Sequence, residues 1–223
     1  GNLEATFRVI SKTIPSLIEL GHRTTLERIC QKEDGLILVT GSTGSGKTTT
    51  LHSALALINT PDRKIWTAED PVEITQPGLR QVQMHPRIDL NFATAMRAFL
   101  RADPDVIMVG EIRDSETAGL AVNTALTGHL VLSTLHTNDA AGAVTRLVDM
   151  GTQPFLVAAS LEGILAQRLL RTICPDCKAP YEPSEAILTQ LGVAPHELGD
   201  KSFFTGKGCK TCADSGYKGR AGL

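Results

Sequence analysis

The stretch LILVTGSTGSGKT, residues 36–48, decides the fold of this chain. Its first five residues form a continuous apolar run, which is typical of a strand buried on both faces of a sheet. A glycine-rich turn follows, and residues 49–59 then carry Leu51, Leu55 and Ile58 at helical spacing. The sequence therefore predicts a strand, a tight turn and a helix in direct succession.

The turn from Gly41 to Thr48 matches the pattern G-x-x-x-x-G-K-[ST]. In this pattern, glycines let backbone N–H groups turn toward phosphate oxygens, and the following helix directs its positive end to the same point. Lys47 adds a cation for the outer phosphates, and Thr48 offers a hydroxyl to Mg²⁺. The predicted nucleotide-binding residues are Thr43, Gly44, Ser45, Gly46, Lys47, Thr48 and Thr49.

Strands and helices alternate in the chain beyond this turn. Further strands are predicted at residues 65–68, 79–82, 105–109 and 130–134. Helices follow, with caps at Asn91, at Asp114 and at Asn138 or Asp139. Residues 154–171 are predicted to be wholly helical. Apolar strands that alternate with helices indicate an α/β fold with a mainly parallel sheet covered by helices.

Acidic residues follow two of the predicted strands. Glu73 lies in the segment AEDPVE, residues 68–73, and Glu111 follows the strand at 105–109. Because the carboxyl ends of such strands face bound phosphates, both carboxylates are candidates to hold Mg²⁺, directly or through water, and to activate the attacking water. Asp114 is interpreted as a helix cap.

Two histidines flank the predicted strand at residues 130–134. His129 opens it and His136 closes it. A histidine beside a strand is often only structural. The position of His136 at the carboxyl end, among Thr and Asn, suits a phosphate sensor, and His129 is the weaker candidate.

Composition excludes several classes of protein. The 223 residues carry 22 Lys and Arg against 24 Asp and Glu, and 42% of them are hydrophobic. This content is typical of a folded domain and excludes a disordered or low-complexity chain. The near-neutral charge argues against tight electrostatic binding of nucleic acid. No apolar run reaches the roughly 18–20 residues that span a bilayer.

Four of the five cysteines form two CxxC pairs, Cys174 with Cys177 and Cys209 with Cys212. Each pair can place two thiolates on one ion, so we predict a closed, structural Cys₄ zinc site. The long segment between the pairs is predicted to hold a helix over residues 184–191. Two redox pairs or four independent thiols are the alternatives. Metal spacing and the lack of a signal peptide indicate a reducing cytosol.

The sequence is interpreted as four segments of a longer protein. Residues 1–20 are expected to be the tail of a truncated upstream domain and a linker. Residues 21–172 are expected to form the core, and residues 173–215 the Cys₄ subdomain. Residues 216–223 are expected to begin a truncated C-terminal continuation.

Four motifs in a fixed order carry a family resemblance. They are LILVTGSTGSGKTTTL, AEDPVE, DPDVIMVGEIRD and TGHLVLSTLHTND. With them, nearly all of residues 7–223 resembles the GspE/PilB family of type II secretion and type IV pilus assembly ATPases. The resemblance implies a RecA-like P-loop NTPase that hydrolyses ATP to ADP with Mg²⁺ as a homohexamer. It also implies a place at the cytoplasmic face of the bacterial inner membrane, on a platform protein, and it supports the zinc module.

The resemblance also implies roles for single residues. Glu73 would activate the hydrolytic water, and Glu111 would help hold Mg²⁺. Many P-loop enzymes have an acidic metal ligand where this chain has Gly110, so that work would fall to Glu111. Arginines would gather around the nucleotide at subunit contacts, and those at matching positions are Arg97, Arg101, Arg113 and, in the upstream segment, Arg8.

Two other functions stay open at this point. A RecA-like ATPase that handles nucleic acid is one, although the sequence lacks the basic, aromatic-interleaved stripe expected of it. A non-enzymatic, nucleotide-dependent scaffold is the other, but intact Lys47, Glu73 and Glu111 disfavour it. The choice between pilus assembly and protein secretion is not made by these residues.

Overall fold

The computed structural model describes residues 13–21, 25–190, 192–193 and 202–223. The predicted strand around Arg8 lies outside these residues. The chain forms two compact units, Gly1–Arg168 and Leu169–Leu223. The finer division predicted at residues 20, 172 and 215 stays a prediction. Within the described part, no helix is both long and apolar enough to cross a membrane.

The first unit is built on a six-stranded sheet whose strand pairs are all parallel. Its strands are β1 (Gly35–Thr40), β2 (Ile65–Glu69), β3 (Arg80–Gln83), β4 (Val106–Val109), β5 (Leu130–Leu135) and β6 (Leu161–Ala166). They lie in the order β3-β2-β4-β5-β1-β6. Every residue of β1, β4 and β5 is buried, as their apolar sequences predict. Because the strands are parallel, their carboxyl ends share one edge, here called the carboxyl edge.

Helices cover both faces of this sheet. They are α1 (Thr25–Cys30), α2 (Lys47–Ile58), α3 (Phe92–Leu100), α4 (Ser115–Leu126), α5 (Ala140–Asp149) and α6 (Pro154–Ser160). On one face, α1 and α2 pack through residues such as Leu55 against Ile37 and its neighbours. On the other, α3 to α6 pack against residues that include Leu38 and Ile107. The predicted α/β class is therefore confirmed.

The predicted helix caps are also confirmed. The side chain of Asn91 accepts a hydrogen bond from the N–H of Thr94 at the start of α3. Asp114 and Asp139 make the corresponding bonds at the starts of α4 and α5. These bonds satisfy N–H groups that have no partner within the helix, so the three capping side chains determine where these helices begin.

The prediction that residues 154–171 are wholly helical is wrong. The helix α6 ends at Ser160, and the chain continues as β6 and then as β7 (Leu169–Ile173). The strand β6 pairs with the side of β1 that β5 leaves open. The spacing of a short apolar run is compatible with either a helix or a strand. Here the run forms a strand because its backbone pairs with the open side of β1.

The second unit consists of small antiparallel pairs. The strand β7 pairs with β10 (Tyr217–Gly222), and β8 (Lys178–Tyr181) pairs with β9 (Phe203–Gly206). A short helix, α7 (Glu185–Gln190), lies where the sequence predicts one. Among the residues of this unit that the structure describes, the buried ones are Cys174, Leu188, Cys212 and Gly216.

Candidate functional site

The glycine-rich turn joins the end of β1 to the start of α2 at the carboxyl edge. Gly41, Gly44 and Gly46 have φ values of 145°, 77° and 91°. These values lie in the region that only glycine adopts without strain. At Gly41 space is limiting as well, since a Cβ there would lie 2.3 Å from the carbonyl oxygen of Gln167. The conformation of the phosphate loop therefore depends on these glycines.

Lys47 begins α2 and its side chain turns back over the phosphate loop. Its Nζ donates to the carbonyl oxygens of Gly41, at 2.9 Å, and Ser42, at 3.1 Å. Burial lowers the pKa of Lys47, and the charge of Glu111 opposes this shift. An ammonium group has three donors, so one N–H remains for a phosphate oxygen. Lys47 is thus held at the mouth of the loop and lies within electrostatic range of Glu111.

The predicted nucleotide-binding residues all lie in this loop and the first turn of α2. Thr43 and Gly44 are exposed at the tip, whereas Ser45 and Lys47 are buried. The Oγ of Ser45 is buried and has no hydrogen-bond partner within the described chain. Buried polar groups in proteins nearly always have a partner. The loop therefore has unused polar capacity, which fits a polyphosphate ligand.

The structure brings together three predicted residues, Glu111, Arg113 and His136. Glu111 follows β4, and its carboxylate pairs with the guanidinium of Arg113 and, at 3.3 Å, with Nε2 of His136. Burial raises the pKa of Glu111, but the hydrogen bond and charge of Arg113, followed by those of His136, outweigh it and lower the pKa below its usual range. Glu111 is thus held ionised, as a ligand for a cation must be.

A cavity of about 540 Å³ adjoins this cluster. Its lining residues are Glu111, Ile112, Arg113, Leu135, His136, Arg146 and Met150. Arg146, on α5, was not predicted as a site residue. Nothing in the sequence indicated that this exposed helix residue would line the same cavity as Glu111.

Glu73 lies in the loop between β2 and β3, and it is half-buried. This loop is fastened to β3 near Glu73 on both sides. The N–H of Val72 donates to Oε1 of Gln83 at 3.3 Å, and the N–H of Gln76 donates to Oε1 of Gln81 at 2.8 Å. Glu73 therefore follows the carboxyl end of a strand, as predicted, on a loop that side chains restrain.

Two of the predicted arginines lie apart from these contacts. Arg97, in the last turn of α3, pairs with Glu116 of α4, and both side chains are about half exposed. Arg101 caps the carboxyl end of α3 and is exposed. Within this chain, neither contacts the phosphate loop or Glu111 through any described hydrogen bond or ion pair.

The two histidines that flank β5 occupy opposite edges of the sheet. His129 precedes the amino end of β5, and its Nδ1 lies 3.2 Å from the carbonyl oxygen of Thr124. His136 follows the carboxyl end and pairs with Glu111. Only His136 therefore lies at the carboxyl edge, the edge that also carries the phosphate loop and Glu111.

Sequence reasoning missed Gln167, which supports the phosphate loop directly. Its Nε2 donates to the carbonyl oxygen of Ser45 at 2.8 Å, and its Oε1 accepts from Oγ1 of Thr50 at 2.7 Å. Its own N–H donates to the carbonyl oxygen of Thr40 at 2.8 Å. Because residues 154–171 were predicted to be helical, no signal placed Gln167 at the end of a strand next to β1.

The four predicted metal ligands come together in the second unit. Cys174, Cys177, Cys209 and Cys212 have all their Sγ atoms within 4.8 Å of one another. Three of the Sγ–Sγ distances are 3.9, 3.9 and 3.7 Å. A tetrahedral zinc ion with Zn–S bonds of about 2.3 Å requires Sγ–Sγ distances of roughly 3.8 Å. The arrangement fits a closed four-thiolate zinc site and is too wide for disulfides.

Backbone N–H groups favour the thiolate form in this cluster. Cys209 and Gly216 donate their N–H groups to Sγ of Cys212 at 3.2 and 3.3 Å. Burial alone would raise the pKa of Cys212, but these bonds and the neighbouring thiols lower it to about 6. The fifth cysteine, Cys30, is buried in the first unit, and burial raises its pKa to about 12. Within the cluster, burial and the neighbouring thiols raise the pKa of Cys177 to about 12. The convergence of four thiols, which Cys30 does not share, is therefore what suits the cluster to metal binding.

Comparison with known proteins gives a consistent result. The chain matches the model of the Type II/IV secretion system protein family over residues 7–223. It is 60% identical over 190 residues to the type IV pilus assembly ATPase PilB of Myxococcus xanthus, covering 85% of this chain and 34% of PilB. It is 52% identical over 201 residues to the type II secretion system protein E of Pseudomonas aeruginosa, covering 90% of this chain and 40% of that protein. The chain thus spans between a third and two fifths of the length of these relatives.

A solved structure supports the same assignment. The crystal structure of the pilus retraction motor PilT with bound ADP superposes with a TM-score of 0.69 at 42% identity, covering 75% of this chain and 52% of that chain. The predicted RecA-like P-loop fold is thereby confirmed. The match of the family model, the high identity to PilB and protein E, and the shared fold show that this chain belongs to the Type II/IV secretion system protein family, in its GspE/PilB group.

Proposed function

We propose that this chain is the ATP-hydrolysing part of a motor that powers type IV pilus assembly or type II protein secretion. The observation that carries the proposal is the phosphate loop itself, in which Lys47 lies within electrostatic range of the ionised Glu111. Loops of this geometry bind the polyphosphate of a nucleotide. The names of the relatives, which include assembly ATPases and an ADP-bound motor, support this reading.

Each site residue has a definite part in the proposed reaction. The loop N–H groups and Lys47 bind the β- and γ-phosphates, and Thr48 and Glu111 hold Mg²⁺ directly or through water. Bound Mg²⁺ neutralises charge on the phosphate oxygens. Glu73 orients a water molecule and accepts its proton while the water oxygen attacks the γ-phosphorus. The bond to the ADP oxygen then breaks, and the products are ADP and phosphate.

The arginines and His136 have roles in charge stabilisation. Arg113 and His136 keep Glu111 ionised. His136 senses the γ-phosphate, and Arg113 adds positive charge near the nucleotide at the subunit contact. Arg97 and Arg101 are exposed, so they are available to the nucleotide site of a neighbouring subunit in a homohexamer. Arg8 would contribute from the upstream segment in the same way. Arginines supplied across a subunit contact can raise the rate by about 10³–10⁵-fold.

The remaining proposals concern the setting of the motor. The four cysteines hold a zinc ion with no open coordination position, so this zinc is structural. The motor acts at the cytoplasmic face of the bacterial inner membrane, on a platform protein and without nucleic acid.

ATP binding and turnover by variants of the protein, produced from its complete gene, test this function. Lys47→Ala is expected to abolish nucleotide binding in calorimetry at millimolar Mg²⁺. Glu73→Gln is expected to keep binding but to lower turnover by about 10²–10⁴-fold, because it removes the base. Lys32→Ala is the matched control, since Lys32 is an exposed lysine paired with Glu162. Normal hydrolysis by Lys47→Ala would exclude the proposal.

A further inference from the structure

A buried polar network joins α2 to the end of β2. His52, on α2, and Glu69, the last residue of β2, are both almost fully buried, and Nε2 of His52 lies 3.0 Å from Oε2 of Glu69. The mechanism proposed above uses neither residue. Ionisable side chains are rarely buried this completely without a partner or a role. The role of the network follows from the elements that its hydrogen bonds connect.

The contacts of Gln76 fix the protonation of His52. Nε2 of Gln76 lies 2.9 Å from the carbonyl oxygen of His52 and 2.8 Å from its Nδ1. Only the NH₂ group of Gln76 can face that carbonyl, because the amide oxygen would meet another acceptor. The same NH₂ group then donates to Nδ1, which must carry no proton. His52 is thus neutral, with its proton on Nε2 and donated to Glu69.

Glu69 accepts hydrogen bonds on both of its oxygens. His52 donates to Oε2, while Thr67 donates to Oε1 at 2.6 Å and Gln81 donates to Oε1 at 2.9 Å. Burial raises the pKa of Glu69, but the bonds from His52, Gln81 and Thr67 outweigh it and lower the pKa below its usual range. Glu69 is therefore an ionised anchor that holds the donors around it in one orientation.

From this anchor the network reaches the loop that carries Glu73. Gln81 also donates to the carbonyl oxygen of Ile74 at 2.8 Å and accepts from the N–H of Gln76. Gln76 is in turn bound through its side chain to His52. The loop is thus tied just after Glu73 both to β3 and to α2, the helix that begins with Lys47.

We propose that His52, Glu69 and Gln76 are positioning residues that hold the Glu73 loop at a fixed place relative to the helix of the phosphate loop. The proposal rests on the function proposed above, in which Glu73 acts on water at the phosphate bound by Lys47. Hydrolysis needs Glu73 and Lys47 at a fixed distance and orientation. An error of about 1 Å in such an arrangement costs about 10²-fold in rate. An apolar pair would fill the same space without specifying one geometry.

Two substitutions of His52 separate positioning from stability. Asn places its amide near the position of Nδ1, so His52→Asn keeps an acceptor for Gln76 but takes a donor from the buried Glu69. Gln places its amide near the position of Nε2, so His52→Gln keeps the donor to Glu69 but removes the acceptor for Gln76. The first variant loses more stability, and the second loses the tie to the loop.

The experiment measures kcat, KM, the Kd of ADP and the Tm of each variant in the protein made from the complete gene. His52→Gln is expected to lower kcat about 10²-fold with the Kd of ADP changed less than about threefold. His52→Asn is expected to have the lower Tm and yet a kcat within about threefold of the unaltered protein. Gln76→Met removes the same tie from the other side and is expected to match His52→Gln in kcat, which keeps the test available if either His52 variant fails to fold.

Two results would overturn the proposal. One is a kcat order that follows the Tm order, with His52→Asn the slower enzyme, because the network would then act on stability alone. The other is unchanged kcat in both His52→Gln and Gln76→Met. Failure of the proposed function looks different: the unaltered protein would then not hydrolyse ATP, or would hydrolyse it no faster than Lys47→Ala.

Discussion

In the first unit, apolar side chains from six helices cover both faces of a parallel sheet, and the strands at its centre are fully buried. In the second unit, the structure describes only four buried residues, and two of them belong to the four-cysteine cluster. Hydrophobic burial can stabilise the first unit without any ligand. The described residues of the second unit form no such core, as is common in small domains, and a metal ion held by the four cysteines is the proposed substitute.

The two units also differ in how their sites are held in place. The glycine-rich turn and the buried polar network at the carboxyl edge both rest on the rigid sheet beneath them. Contacts within the chain hold both of them, so the proposed nucleotide site is preorganised without a ligand. In the second unit, the ligands of the site are themselves much of the core, so the site and the fold are expected to form together.

Removal of the proposed zinc is expected to have the largest effect and to act on the second unit only. Structural zinc contributes about 10–16 kcal/mol to the folding of small domains of this type. A chelator, or the substitution Cys209→Ser, should therefore remove the hydrogen-exchange protection of residues 169–223 and leave that of the first unit intact. Cys30→Ala is the control, since it removes a cysteine without touching the cluster. Protection that survives complete chelation in both units would break the comparison.

Truncation of a core side chain should destabilise the first unit, whereas zinc removal should destabilise the second. Ile107 is fully buried on β4, and Ile107→Ala is expected to lower the free energy of unfolding of the first unit by about 2–5 kcal/mol in urea. Phe155→Ala, on an exposed side chain of α6, is the control and should cost far less. Equal losses in the two variants would mean that packing between sheet and helices does not stabilise this unit.

The pH dependence of the first unit should reveal the buried Glu69. Its pKa is lowered in the folded chain, so its ionised form stabilises the fold above the unfolded pKa of about 4.3, and this contribution is lost as the pH falls through the folded pKa. Glu69→Gln is expected to cost about 1–3 kcal/mol at pH 7, because an amide donor then faces other donors. Urea titrations should show that this gap, the difference in free energy of unfolding between the unaltered protein and Glu69→Gln, becomes smaller toward pH 3. A gap that is constant with pH would contradict the assignment of an ionised Glu69.

The smallest effect is expected at the surface pair of Arg97 and Glu116. Both side chains are about half exposed, so solvent screens their attraction. Arg97→Ala should therefore change the free energy of unfolding by less than about 0.5 kcal/mol, and Glu116→Ala should behave alike. A loss of several kcal/mol from Arg97→Ala would show that this arginine is structural and would weaken its proposed role at a subunit contact.

Much of the candidate site was predictable because its signals are local. The phosphate loop needs glycines at set spacings, and the caps at Asn91, Asp114 and Asp139 act within one helical turn. The carboxylates at 73 and 111 could be placed because strand ends in a parallel sheet share an edge. The two CxxC pairs have the spacing of metal ligands, so their convergence on one point could be predicted. What failed was β6, whose short apolar sequence has no period that separates strand from helix.

The sequence by itself determined the phosphate loop, the alternation of strands and helices, and the two CxxC pairs, because each depends on residues close together in the chain. Only the tertiary structure decided that Gln167 supports the loop, that His136 pairs with Glu111, and that His52 lies against Glu69. Those contacts join residues far apart in sequence, and which polar groups meet in the interior depends on how the helices pack on the sheet rather than on any local pattern.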